Sequence, residues 1–302
     1  MMYHNDQWAQ QVVSWEYSSA ATPDLHEVPI QPFPASLYEQ GETRVIALDL
    51  SAELETPYLA TAPNLLANYI RICAGEQITT SVTATSEVYF VLRGSGRTET
   101  ADGVITWQQG DAFTLPCNSG VTHYADDESA LYWSHDAPLL QYMGVAPVRP
   151  MFSPAFYSKA YMCSEVEKLR EIAIRENRNR VGIILGNNAC TKTKTMTHTM
   201  WSLFNLLPAG AVQKPHRHQS VALDLAVFSG PDTYTLIGKK VDPEGNIIHP
   251  VKAMWATGSV FVTPPGWWHS HHNESDQDAY VFPVQDAGLH TYMRTLDIQF
   301  IR

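Results

Sequence analysis

Two stretches of this chain repeat one another, and the repeat limits the fold more than any other feature. Gly110-Asp-Ala-Phe-Thr-Leu-Pro116 matches Gly258-Ser-Val-Phe-Val-Thr-Pro264. Asp136-Ala-Pro-Leu-Leu-Gln-Tyr-Met143 matches Asp286-Ala-Gly-Leu-His-Thr-Tyr-Met293, and Ala74-Gly75 matches Ala209-Gly210. The matches come in one order, so the chain is read as two copies of one unit. Each copy is rich in short β-prone runs closed by Gly or Pro, such as Glu87-Val-Tyr-Phe-Val-Leu-Arg-Gly94, which predicts an all-β unit. The expected organisation is an N-terminal arm over 1–60, a first barrel over 61–150, a helical connector over 151–194 and a second barrel over 195–302. Within the connector a helix is predicted over Ser164–Arg180, with Ser164 and Glu167 as its capping box. With 44% hydrophobic and 17% charged residues the chain has the composition of an ordered globular protein, and its 302 residues suit one large domain or two of ordinary size.

The second copy carries the chemistry. His216 and His218 stand two apart between turn residues and an apolar run. On a strand that spacing puts both rings on one face, about 6–7 Å apart along the backbone. Rings so placed converge on one metal ion, and a third ligand must come from another strand. The turn Pro264-Pro-Gly-Trp-Trp-His269 supplies His269. No cysteine lies near the trio, which argues against a structural zinc site and leaves open coordination positions for chemistry. In the first copy, counting on from Gly75, Ser81 and Thr83 fall where the histidine pair falls in the second. Hydroxyls are poor ligands for a transition metal, so this copy is expected to be metal-free. Its Glu87 and His123 are expected as remnants in a polar interior, bonded to each other or to water.

Strand parity outlines the pocket. If His216 and His218 face inward, so do Ser220, Ala222 and Asp224. Trp255 and Trp268 are placed near the mouth, where they would stack on a planar ring. His271 lies just beyond the third ligand, and Arg217 points outward. Asp224 is expected to contact substrate or act as a general base, and otherwise to join the metal as an extra ligand.

The frame around the histidines reads G-x5-H-x-H from Gly210 and G-x5-P-x-G-x2-H-x3-N from Gly258 to Asn273, with every position filled. These are the two motifs of the cupin superfamily, and the chain resembles it. The resemblance implies a mainly all-β chain of two double-stranded β-helix (jelly-roll) barrels. Two-barrel chains of this length look like the gentisate 1,2-dioxygenase family, which includes salicylate and hydroxynaphthoate ring-cleaving enzymes. The similarity is specific in His216-Arg-His218-Gln-Ser220-Val-Ala222-Leu223 and in Thr263-Pro-Pro-Gly-Trp-Trp268-His269-Ser-His271. Carried over by position, it implies that His216, His218 and His269 hold Fe(II), and that the chain uses O2 to cleave a hydroxylated aromatic acid beside its carboxylate. The family typically has an arginine after Ala-Leu; here that residue is Asp224.

Three histidines also suit Mn, Ni, Cu or Zn. Two other readings therefore stand beside the dioxygenase: a non-oxidative isomerase, lyase or decarboxylase, and a regulatory protein that binds a small molecule. The partners expected are a small-molecule substrate, O2 and further copies of the chain, as a homodimer or larger homo-oligomer. A net charge of −11 argues against nucleic acid or an anionic membrane. The N-terminus shows no secretory pattern, no apolar run is long enough to span a bilayer, and the four cysteines form no C-x-x-C pair, so a cytoplasmic setting is expected.

Overall fold

In the computed structural model, residues 5–176, 178 and 180–301 are described. The fold is mainly β, and every strand pairing is antiparallel. Four sheets form two barrels. The first barrel joins a six-stranded sheet, ordered Ala155–Tyr157, Ala112–Pro116, Ser86–Arg93, Ser129–His135, Leu66–Ile72, Arg44–Ala47, to a four-stranded one. The second repeats the plan. Its six-stranded sheet runs Pro32–Phe33, Val260–Thr263, Ala222–Phe228, Ala279–Gln285, Trp201–Leu207, Val181–Leu185. Its five-stranded sheet runs Val251–Met254, Thr233–Gly238, Trp268–Asn273, His216–His218, Ile298–Phe300.

The two six-stranded sheets pack against each other, so their central strands are covered on both faces. This is why those strands read as unbroken apolar runs. Val88 and Phe90 face the seam between barrels, while Tyr89 and Val91 face the first barrel's interior. In the second barrel Leu223 and Leu225 face the seam and Ala226 the interior. The Tyr69 hydroxyl crosses the seam and donates to the carbonyl of Gly258 at 3.1 Å. Gly258 has φ +80°, and a Cβ there would strike the Tyr38 hydroxyl, so the turn tolerates glycine alone.

The segments outside the barrels are more mixed than expected. The connector's helix is Lys159–Glu176, beginning five residues before Ser164. Its first-turn amides find partners earlier: Lys159 N donates to the Asp111 carboxylate and Tyr161 N to Ser158 Oγ. The same stretch contributes Ala155–Tyr157 to the first barrel and Val181–Leu185 to the second. Pro32–Phe33 and Arg44–Ala47 of the arm likewise edge the two large sheets. Residues 7–27 are exposed throughout.

The barrels differ in what fills them. Register equates Tyr89 with Asp224, since each opposes a Phe on one neighbouring strand, Phe113 or Phe261. On the other neighbour they oppose Trp133 and Pro283. In the first barrel Tyr89 stacks on Phe113 at 4.6 Å and on Trp133 at 5.9 Å. Glu87 accepts from Tyr89, Asn118 and Trp133, whereas His123 sits between Thr80 and Thr98. The two remnants are thus each satisfied separately and do not bond one another. Ser81 and Thr83 are exposed in an irregular loop.

Candidate metal centre

His216 and His269 are directly opposite across paired strands, and His218 lies one pleat further along. The turn between strands holds the arrangement: Gly266, at φ +78°, donates its N–H to the His218 carbonyl at 2.7 Å. Each of the three rings offers one nitrogen, and these lie within 4.8 Å of one another. Among the described residues this is the one cluster of three or more His, Cys, Asp or Glu with such convergence. Asn273 closes the motif by donating to the carbonyls of Leu207, Pro208 and Gln277, which fixes the far end of the strand.

The hydrogen bonds decide which nitrogens are available. His218 Nδ1 faces the Ser220 carbonyl at 2.8 Å and His269 Nδ1 faces the Trp267 carbonyl at 3.1 Å. A carbonyl only accepts, so both Nδ1 atoms carry the proton and both Nε2 lone pairs are left for a metal. His216 Nδ1 is buried with no protein partner. Burial holds all three imidazoles neutral: it lowers His218 to about 4 and takes His216 and His269 well below the ordinary imidazole value, with the neighbouring histidines adding to the effect at His216 and His269. Neutral, oriented and convergent rings fit a transition-metal ion, with iron, manganese, nickel, copper and zinc all compatible with the donor set.

A cavity of about 280 Å³ opens beside the trio. His216, His218 and His271 form one part of its wall. Gln213, Gln285, Asn205, Trp201 and Arg180 supply half of the rest. Arg180 reaches in from just before Val181–Leu185, held by the Lys214 carbonyl and lying 4.6 Å over the Phe300 ring. Phe300 in turn stacks on His216. Asn205 opposes Gly182 in register, and a Cβ on Gly182 would fall on the Asn205 amide oxygen. Glycine there gives the amide its room. A larger cavity, about 370 Å³, lies between the barrels against Phe90, Phe204 and Tyr280, but its walls bring no ligating groups together.

The residues expected at the site separate into three groups. Ser220 and His271 are at it: Ser220 Oγ contacts His218 Nδ1 and donates to Gln285, and His271 is buried with its Nδ1 on Thr235 Oγ1. Ala222 and Asp224 are buried on the inward face but do not line the cavity. Asp224 accepts from Thr263 at 2.6 Å, and burial raises its carboxyl to about 7. The tryptophans are elsewhere than at the mouth. Trp255 is inside the barrel, donating to Thr235 Oγ1 behind His271. Trp268 points to the opposite face from His269, as alternation requires, and meets Arg217 there at 5.6 Å. Arg217 also pairs with Asp297 and Gln299, outside as expected. Arg180, Trp201, Asn205, Gln213 and Gln285 were not foreseen. The signal for two of them was present in Trp201-x-Leu203-x-Asn205, one face of the strand preceding the histidine pair.

No family model matches the sequence. Over 93 residues the chain is 29% identical to 1-hydroxy-2-naphthoate 1,2-dioxygenase of Nocardioides sp. strain KP7, a stretch covering 31% of this chain and 21% of that protein. The match thus spans about a fifth of that relative's length. The structure is similar to salicylate 1,2-dioxygenase from Pseudaminobacter salicylatoxidans, with TM-score 0.75, 13% identity, and coverage of 98% of this chain and 96% of that one. A variant of the same enzyme in complex with gentisate gives TM-score 0.74 at 14% identity, covering 97% and 92%. A cupin 2 conserved barrel domain protein from Leptotrichia buccalis gives 0.52 at 14%, covering 86% and 98%. The architecture is that of a two-barrel cupin. Solved structures of that class that it resembles across nearly the whole chain include salicylate 1,2-dioxygenase.

Proposed function

We propose that the chain is an Fe(II)-dependent dioxygenase that opens the ring of a small hydroxylated aromatic acid. One observation carries the reading: three neutral imidazoles converge beside a cavity that also presents a guanidinium and three neutral amides. His216, His218 and His269 would hold the metal. Iron(II) there supplies the redox centre through which O2, the oxidant, and an aromatic ring react. The protein's part is positioning. Arg180, already bonded to the Lys214 carbonyl, brings a guanidinium to the cavity wall, a group whose charge and planar shape suit a carboxylate. Asn205, Gln213 and Gln285 offer amide donors and acceptors to ring oxygens, and Trp201 and Leu203 give an apolar wall for the ring. The departure at Asp224 then does not exclude a carboxylate, because the cation comes from a different strand. His271, neutral and anchored by Thr235, stands where it can hydrogen-bond a substrate oxygen. The names of the similar proteins support this substrate class.

The chain is further read as a cytoplasmic oligomer, a dimer or larger. In support, Trp8, Val12, Val13, Trp15 and Tyr17 of the arm are all exposed and would be covered by a second copy.

Oxygen uptake tests the reading. Protein loaded with Fe(II) under anaerobic conditions and then given O2 with salicylate, gentisate or 1-hydroxy-2-naphthoate should consume O2 in proportion to ring-opened product. Turnover without O2 would favour the isomerase, lyase or decarboxylase reading. Ligand-induced stabilisation without turnover would favour the regulatory one.

A further inference from the structure

The Asp residue that opens each repeated Asp-Ala segment grips the start of a strand in its own barrel and receives a donor from across the seam. In the second barrel Asp286 Oδ1 accepts the Val221 N–H at 2.9 Å, and Oδ2 accepts the amide N–H of Asn64 at 2.8 Å. Asn64 lies just before the strand Leu66–Ile72 of the first barrel. Asp286 is buried, and His290 is its other polar neighbour, at 4.0 Å. Its neighbour Gln285 takes the Ser220 hydroxyl at 2.9 Å. Gln285 and Asp286 therefore hold Ser220 and Val221 from two sides. Between them lies the Ser220 carbonyl, which accepts from His218 Nδ1 at 2.8 Å and so directs its Nε2.

We infer that Asn64, supplied by the first barrel, is a positioning residue for the His218 ring in the second. This rests on the metal-centre reading for its consequence but not for its geometry. The chain of contacts is continuous: Asn64 amide, Asp286 carboxylate, Val221 N–H, Ser220 carbonyl, His218 Nδ1. Without the Asn64 donor one carboxylate oxygen is buried and under-satisfied, and the group relieves that by moving toward another donor. Movement of Asp286 releases Val221 and, through the shared peptide, the carbonyl that orients His218. Groups that orient a ligand imidazole tune metal affinity even without touching the metal.

The repeat provides a matched control. In the first barrel Asp136 accepts from the Thr85 and Ser86 N–H groups at 2.8 and 3.2 Å and, across the seam, from Thr199 Oγ1 at 2.9 Å. That grip leads to the loop bearing Ser81 and Thr83, where the counterpart histidines are missing. Removing Thr199 Oγ1 breaks the corresponding seam bond, with Thr85 Oγ1 still donating to the same Asp136 oxygen and no histidine at the end of the grip.

The experiment compares Asn64→Leu and Thr199→Val with wild type. Two readouts apply: Co(II) affinity by chelator competition, and the His218 Nδ1–H resonance in metal-free, histidine-labelled protein. Asn64→Leu is expected to weaken Co(II) binding by about three- to tenfold, below the 10–100-fold seen for a ligand's direct partner, and to shift or broaden that resonance. Thr199→Val is expected to leave both at wild-type values. The inference is overturned if Asn64→Leu keeps both wild-type values, or if Thr199→Val changes them equally. Asn64 is half-buried, and if the leucine variant fails to fold, Asn64→Ala removes the same donor without added bulk. Failure of wild-type protein to bind Co(II) would count against the metal reading alone, because the metal-free resonance still decides the coupling.

Discussion

The rings of Phe90 and Phe282 meet 4.9 Å apart at the seam, one from the central strand region of each large sheet. Both are fully buried and belong to a core that also takes in Tyr69, Val88, Leu223, Leu225, Val260 and Val284. Truncating either ring leaves a cavity that residues of both barrels line. Phe90→Ala and Phe282→Ala are each expected to cost about 3–5 kcal/mol. Urea unfolding followed by tryptophan fluorescence and by circular dichroism should give one coincident transition in wild type. Separate barrel transitions in wild type would show that the seam does not couple them.

His218→Ala and His269→Ala should each reduce bound transition metal from near one ion per chain to below a tenth under the same dialysis. Two remaining imidazoles retain an exchangeable ion poorly. Elemental analysis checks this. Two tightly held ions per wild-type chain would mean that the first barrel binds metal as well.

Arg180→Gln should raise KM for a hydroxylated aromatic carboxylate by about ten- to a hundredfold, with kcat changed far less, as expected for a lost charge-assisted pair that binds substrate and transition state alike. Steady-state O2 uptake measures both constants. An equal fall in kcat would instead give Arg180 a part in the chemical step.

Asp224 has a folded carboxyl raised from 3.8 to about 7 by burial. A raised carboxyl binds more protons folded than unfolded, so its contribution to stability is complete at low pH and declines as pH rises from about 4 through 7. The full decline is on the order of 4 kcal/mol for a shift of this size. Asp224→Asn should flatten the difference in urea stability between pH 5 and pH 8 while metal content is retained. Loss of metal in this variant would make Asp224 a ligand.

Deleting residues 1–27 should lower the oligomeric state, because the exposed apolar side chains of the arm leave with it. Light scattering at tens of micromolar decides. An unchanged mass, or a wild-type monomer, would remove the arm from assembly.

The histidine trio was legible because glycine, proline and histidine occupy fixed places in two short motifs, and because a two-residue spacing has one meaning on a strand. Parity correctly turned Arg217 outward and Asp224 inward. It says nothing, however, about which other strand faces that residue, and Asp224 faces Thr263 rather than the cavity. Proximity to His269 in sequence suggests the mouth for Trp268, but alternation turns its ring to the opposite face, against Arg217. Trp255 was misplaced because its indole N–H satisfies Thr235 inside the barrel, a contact 20 residues away in sequence. Arg180 stayed hidden for a different reason: the strand it precedes reads as connector, and only its pairing with Trp201–Leu207 brings it to the second barrel.

The two-sided burial of the large sheets has a consequence for how this chain can change over time. Each barrel presents its partner with a broad greasy wall, lined in the first by Tyr69, Val88, Phe90 and Tyr132. Cut apart, either half would carry that wall into water and stick to its own kind. The first barrel thus serves as a permanent cover for the second, and a gene shortened to the histidine-bearing half alone should yield insoluble protein.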